Sequence, residues 1–173
     1  YARALEGRLK WSDALMGYKI GSSRGDLSFD TRDSAFAVPK AIVTDASFTW
    51  GNDQAPLTPR AETLIYETHV KSMTARHPGV EKGLRGTYLG LSSDPVIDHL
   101  HKLGVTAIEL LPVQAYIDDR FLVSKGLRNY WGYNTLAFFA PEPRYMSQGA
   151  LWEFQTMVRR FHAGGIEVIL DVV

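Results

Sequence analysis

The 173-residue chain carries 19 Lys+Arg and 19 Asp+Glu, a formal net charge of zero, so it offers no basic face to a nucleic acid or an anionic membrane. With 45% apolar and 22% charged residues it has the makeup of a folded globular protein. It has no cysteine, which excludes disulfides and thiolate metal sites and favours a cytoplasmic setting. No apolar run approaches the roughly 20 residues of a membrane span, and residues 1–30 lack a signal-peptide pattern, although the chain opens at Tyr1 without a Met.

Residues 1 to about 60 have weak periodicity and many turn formers, such as Gly21-Ser22-Ser23-Arg24-Gly25-Asp26 and Gly51-Asn52-Asp53. Short strands are expected at Ala41–Val43 and Ser47–Trp50, and Pro56 and Pro59 bracket a linker. From Leu64 to Val70, β-branched and aromatic residues predict a strand. Ser92-Ser93-Asp94-Pro95 then opens a helix, with Ser93 or Asp94 as its cap and Pro95 in its first turn. Val96, Ile97, Leu100 and Leu103 share a face of that helix, and Gly104 supplies its left-handed stop. Thr106–Leu111 is a second strand, closed by Pro112.

A long connection follows, from Val113 to about Gln148. Leu151, Phe154, Val158 and Phe161 next mark a helix ended by Gly164-Gly165. The run Ile166–Val173 is the most apolar strand candidate; it is expected to be covered on both faces, and so apolar an end reads as one the native chain continues beyond. Strand, helix, strand, helix, strand makes consecutive βαβ units and a parallel sheet. Of the two parallel architectures, a nucleotide-binding open sheet is disfavoured because no Gly-rich turn follows any strand. In a (β/α)8 barrel the long aromatic connection would lie at the C-terminal face, where active sites are built.

Asn129-Tyr130-Trp131-Gly132-Tyr133-Asn134 is the most informative local cluster. Sugar rings present apolar C–H faces rimmed by hydroxyls, so their sites pair aromatic platforms with amides and carboxylates. Gly132 between two aromatics lets the backbone turn sharply. The alternative is that these rings pack the loop onto the barrel. Among the strand acids Glu67, Glu109, Glu167 and Asp171, the last falls late in its strand, where barrel enzymes place chemistry, yet no two of them form an assignable catalytic pair. The histidines (His69, His77, His99, His101, His162) show no metal-ligand spacing; His69 could join a buried hydrogen-bond network with Tyr66, Glu67 and Thr68.

Several of these stretches match a known pattern. Thr63–Lys71 resembles the first barrel strand of bacterial glycogen-debranching enzymes and isoamylases, in the α-amylase superfamily (glycoside hydrolase family 13). Arg85-Gly86-Thr87-Tyr88 resembles the approach to their first barrel helix, Leu103–Val113 their second strand, Asn129–Asn134 their aromatic substrate loop, and Gly165–Val173 their third strand. The resemblance implies an α/β chain made of the first three β/α units of a (β/α)8 TIM barrel. An irregular and β-containing connection would precede it: residues 1–60 as the tail of an N-terminal β-sandwich region with its linker, residues 61–173 as barrel. It implies retaining cleavage of α-1,6 branch linkages in glycogen-like α-glucans, with the catalytic carboxylates beyond Val173 in the remainder of the barrel and no cofactor or metal here. By position, Tyr133 would stack on the sugar at the scissile bond, Trp131 would support that platform, and Asp171 would order the site. A non-catalytic glucan-binding module, and a branching or trehalose-forming relative, are the alternatives.

Overall fold

The computed structural model describes residues 2–45 and 47–173. Its N-terminal portion is mostly turns and single 3₁₀ turns, with one small antiparallel pairing of β1 (Leu5–Glu6) and β2 (Lys40–Ala41). The expected strand at Ala41–Val43 is thus shifted to this pair. Ser47–Trp50 forms no strand; there Phe48 and Trp50 meet edge to face, 5.0 Å between centroids, and Ala46 before them lies outside the described residues.

The main sheet begins with β3 (Ile65–Thr68) and is followed at once by α1 (Val70–Thr74). Val70, expected in the strand, instead opens this helix because His69 turns its ring back to cap it. After α2 (Tyr88–Leu91) comes α3 (Asp94–Lys102), with Pro95 in its first turn as expected. Ser93 occupies the cap position, but its hydroxyl donates to the Gly90 carbonyl and does not close the helix end. Val96 and Leu100 are fully buried, whereas Leu103 is 49% exposed because α3 ends before it. Gly104 has φ +75, the left-handed stop.

Next come β4 (Ala107–Leu110), then β5 (Gln114–Tyr116), α4 (Arg120–Val123) and β6 (Thr135–Pro141). The long connection is therefore built around an antiparallel pair of β5 and β6, whose register slips at Gln114/Ala115 and again at Ala115/Tyr116. Such bulges erase the period-2 pattern by which a strand is read from sequence. The chain then forms α5 (Trp152–Ala163) and β7 (Glu167–Leu170).

β3, β4 and β7 are parallel and lie side by side in chain order, β4 between the other two. Tyr66, Ile108, Leu110 and Val168 point to the helix-covered side, where Leu91, Val96, Leu100, Met157 and Phe161 complete the core. By the alternation of a strand, Ile65, Glu67, Glu109, Glu167, Ile169 and Asp171 point to the other side, where Ile65 and Glu67 are exposed. Coverage of the third strand on both faces, expected from its composition, holds at Ile166 and gives way at the exposed Leu170, Val172 and Val173.

The buried stripe of α5 is centred on Glu153, Met157 and Phe161, with Phe154 and Val158 packed on its flank. Glu153 was no candidate for the core. Its carboxylate is fully buried at the helix start, accepting from the Ser147 amide (2.7 Å), the Ser147 hydroxyl (2.6 Å), the Gln148 amide (2.7 Å) and the Ala150 amide (3.4 Å). It satisfies donors that the turn would otherwise bury unpaired, and a negative charge there is favoured by the helix dipole. Replacing Glu153 by Leu should cost about 2–4 kcal/mol, since several amides lose an ionised acceptor. The drop would be read as a lower denaturant midpoint at unchanged slope; an unmoved midpoint would show that the 147–150 turn holds without it.

Candidate functional site

The carboxyl ends of β3, β4 and β7 converge on the loop 129–134, and each holds a different residue of it. Beyond β3, the His69 ring stacks on Tyr130 (4.4 Å between centroids, 6° between planes), and its Nε2 lies 2.8 Å from the Tyr130 carbonyl. Beyond β4, Pro112 lies under Gly132: a Cβ added there would come within 3.1 Å of the Pro112 carbonyl oxygen and of the Tyr116 ring. Gly132 also has φ +90, so no other residue suits the place. Beyond β7, Asp171 Oδ2 accepts the Tyr133 hydroxyl at 2.5 Å.

Further hydrogen bonds hold both ends of the loop. The Asn129 amide donates to Asp118 Oδ1 (2.9 Å) and its side chain to the Ile117 carbonyl (3.2 Å). Asn129 Oδ1 in turn accepts the Gly132 amide, three residues on, at 3.0 Å, which closes the bend. Asn134 donates from its side chain to Asp119 Oδ1 (2.8 Å), and its carbonyl accepts the Ile117 amide (3.0 Å). The Tyr130 hydroxyl pairs with Ser72 Oγ on α1.

Fixed in this way, the loop leaves its rings open: Tyr130 is 43% exposed, Trp131 56% and Tyr133 46%. Between packing and display, the Trp131 and Tyr133 rings are therefore displayed, while Tyr130 divides its ring between His69 and solvent. The ring contacts of Trp131 are edge-on with Tyr130 (5.6 Å) and His69 (6.4 Å). The Tyr133 phenol is pushed up to about 12, chiefly because its proton is held by Asp171, with burial and the charges of Asp171, Glu67 and Glu109 adding to the shift. It remains a donor throughout the physiological range. By the register of the strands, Glu67 and Glu109, neighbours across β3 and β4, lie on the same side of the sheet as Asp171.

Under the loop lies a polar network that sequence reading did not find. Glu142 is buried and accepts from the Tyr116 amide (3.1 Å), the Arg144 amide (3.0 Å) and Arg144 Nε (2.6 Å). Arg144 also donates to Asp118 Oδ1 (2.9 Å) and to the Tyr116 carbonyl (3.1 Å), with its guanidinium 4.0 Å above the Tyr116 ring. The Tyr116 and Tyr145 hydroxyls lie 3.0 Å apart, and the Tyr145 hydroxyl is 3.0 Å from His69 Nε2. Burial raises both phenols, so both stay protonated. His69 does join a buried network, but with Tyr130 and Tyr145 in place of Tyr66, Glu67 and Thr68. The local sequence signal was the spacing of Glu142 and Arg144 two residues apart after an aromatic strand, which is too common to single out. Among the described residues, no group of three or more His, Asp or Glu side chains is placed to hold a metal ion.

Gly132→Ala should cost about 1–3 kcal/mol, from the disallowed backbone and the clash with Pro112, and should loosen the loop before the core. Amide exchange confined to residues 129–134 would check this; unchanged exchange there would contradict it. His69 gives a pH test. Burial lowers its pKa, and Nδ1 accepts the Lys71 and Ser72 amides, so the folded chain holds it neutral. The unfolded chain takes up the proton near pH 6.5, so His69 contributes full stability above that value and progressively less as pH falls below it. Denaturation midpoints at pH 7.5 and pH 5 should differ more for the parent chain than for His69→Asn; equal differences would refute the assignment.

No protein-family model matches the chain. Over its whole length it is 46% identical, across 177 aligned residues, to the "Glycogen operon protein GlgX homolog" of Mycobacterium bovis, and it spans 24% of that protein. It is 45% identical over 177 residues to the glycogen debranching enzyme of Yersinia enterocolitica, again along 100% of this chain and 26% of the relative. Among solved structures, the pullulanase of Paenibacillus barengoltzii, in complex with maltohexaose and alpha-cyclodextrin, superposes with a TM-score of 0.62 at 29% identity, over 79% of this chain and 24% of that one. The chain thus covers about a quarter of the length of each. Along its whole length the chain is similar to glycogen debranching enzymes, and over 79% of it to part of a pullulanase.

Proposed function

We propose that the chain is part of a glycoside hydrolase that cleaves α-1,6 branch linkages in glycogen-like α-glucans. Residues 61–173 form its first three β/α units, and residues 1–60 form the approach to them. The sheet order agrees with a barrel, each strand being laid beside the previous one, and differs from the flavodoxin-like order, in which the first strand lies between the next two. In this reading Tyr133 is the platform for the sugar at the scissile bond, Trp131 extends the wall, and Asp171 fixes the platform. The carrying observation is that an open tyrosine ring stands at the carboxyl ends of parallel strands with its hydroxyl tethered to a strand-end carboxylate.

The reaction in the whole protein would be retaining, with an acid/base carboxyl and a nucleophile about 5–5.5 Å apart. Both groups belong, in this reading, to the barrel strands C-terminal to Val173, and this chain contributes binding surface. A tyrosine held rigidly by Asp171 would stack on the sugar without spending conformational freedom when substrate arrives. A cytoplasmic setting accompanies the proposal; among the described residues no helix is long and apolar enough to cross a membrane.

The test uses the full-length protein and a branched α-glucan. Tyr133→Ala should lower kcat/KM about 100-fold, which corresponds to about 2.7 kcal/mol of lost transition-state binding. Tyr133→Phe keeps the ring and loses only its tether, so its loss should be nearer tenfold. Trp131→Ala should fall between the parent and Tyr133→Ala. Full turnover by Tyr133→Ala would remove the loop from the substrate site.

A further inference from the structure

We propose that His69 is a positioning residue that aims the aromatic loop, using its two ring nitrogens for two separate tasks. This rests on the reading of the loop as substrate wall. Nδ1 accepts the backbone amides of Lys71 (3.0 Å) and Ser72 (3.3 Å), and so caps α1. With both of those contacts made to amide donors, the ring proton sits on Nε2. That N–H donates to the Tyr130 carbonyl (2.8 Å), with the Tyr145 hydroxyl oxygen also within reach at 3.0 Å. The tautomer is thereby fixed by the helix end and read out by the loop.

The placement is tight because His69 is only 4% exposed and contacts three rings: Tyr130 stacked, Trp131 and Tyr145 edge-on. Tyr145 passes the constraint to Tyr116, whose ring also limits the space at Gly132. His69 therefore fixes Tyr130 directly and Gly132 by this second route, and Tyr133 is the next residue along. Its ring contacts are with Tyr130, Trp131 and Tyr145, so it acts on Tyr133 through the loop and need not touch the sugar.

Two substitutions separate the tasks. An asparagine can accept the Lys71 amide from the Nδ1 side but is too short to reach the Tyr130 carbonyl. A glutamine can donate to that carbonyl but leaves the helix end uncapped. In the full-length protein, His69→Asn should keep a thermal midpoint close to that of the parent while kcat/KM on a branched α-glucan falls about tenfold or more. His69→Gln should show the opposite pattern, a lower midpoint with most of the turnover recovered. In a Tyr133→Ala background, His69→Asn should cause no further loss, since the ring it aims is gone.

Amide exchange across residues 129–134 gives a readout independent of any substrate: faster in His69→Asn, close to parental in His69→Gln. If both variants lose turnover only in proportion to stability, or if exchange in the loop is equal in the two, the positioning role is refuted. If exchange differs as expected but the parent protein turns over no branched glucan, the positioning role stands and the substrate reading fails.

Discussion

Asp171 accepting the Tyr133 hydroxyl is the bond on which the arrangement of the site depends, because it ties the tip of an irregular loop to the end of a regular strand. A loop alone has no preferred direction for its side chains. Three anchorages in a row (Tyr130 on His69, Gly132 on Pro112, Tyr133 on Asp171) give this one the rigidity of the sheet. Each anchor belongs to a different strand end, so the loop's orientation follows from the spacing of parallel strands. That is how a scaffold positions exposed aromatics: the energy comes from backbone and polar contacts, and the ring faces are left free.

The hairpin beneath the loop applies the same principle with charge. Glu142, Arg144 and Asp118 are held close by the Tyr116 backbone, and the guanidinium lies flat against the Tyr116 ring. A buried carboxylate with both oxygens hydrogen-bonded is tolerable where an unpaired one is not. The register slips of β5 and β6 fall beside Tyr116, whose backbone amide and carbonyl meet Glu142 and Arg144.

What could be read from sequence was what depends on local spacing. The βαβ order, the Pro95 helix start and the Gly104 stop follow from neighbours a few residues apart, and all are present. Tyr133, Trp131 and Asp171 were visible as candidates, and two of them meet in a hydrogen bond across 38 residues that no spacing rule could foresee. Leu103 shares a helical face with Leu100 by spacing yet is half-exposed, because a helical period says nothing about where the helix stops. Glu153 was passed over because composition marks a glutamate as a surface residue until four donors are found around it. His69 was seen as part of a strand, while its position at a strand-to-helix junction is what gives its two nitrogens different partners.

Among the described residues, four hydrogen bonds tie the N-terminal portion to the rest across more than a hundred residues each: Trp11 to the Asp118 carbonyl, Asp13 to Arg120, Thr49 to Arg159 and Asp53 to His162. Loops of that size close at an entropic cost that local structure does not share. The parallel sheet and its helices offer nearer partnerships and can condense first, which leaves these four pairings for the end of the folding reaction. The segment from Trp11 to Asp53 would then settle on α4 and α5 last, once those helices have a surface to receive it.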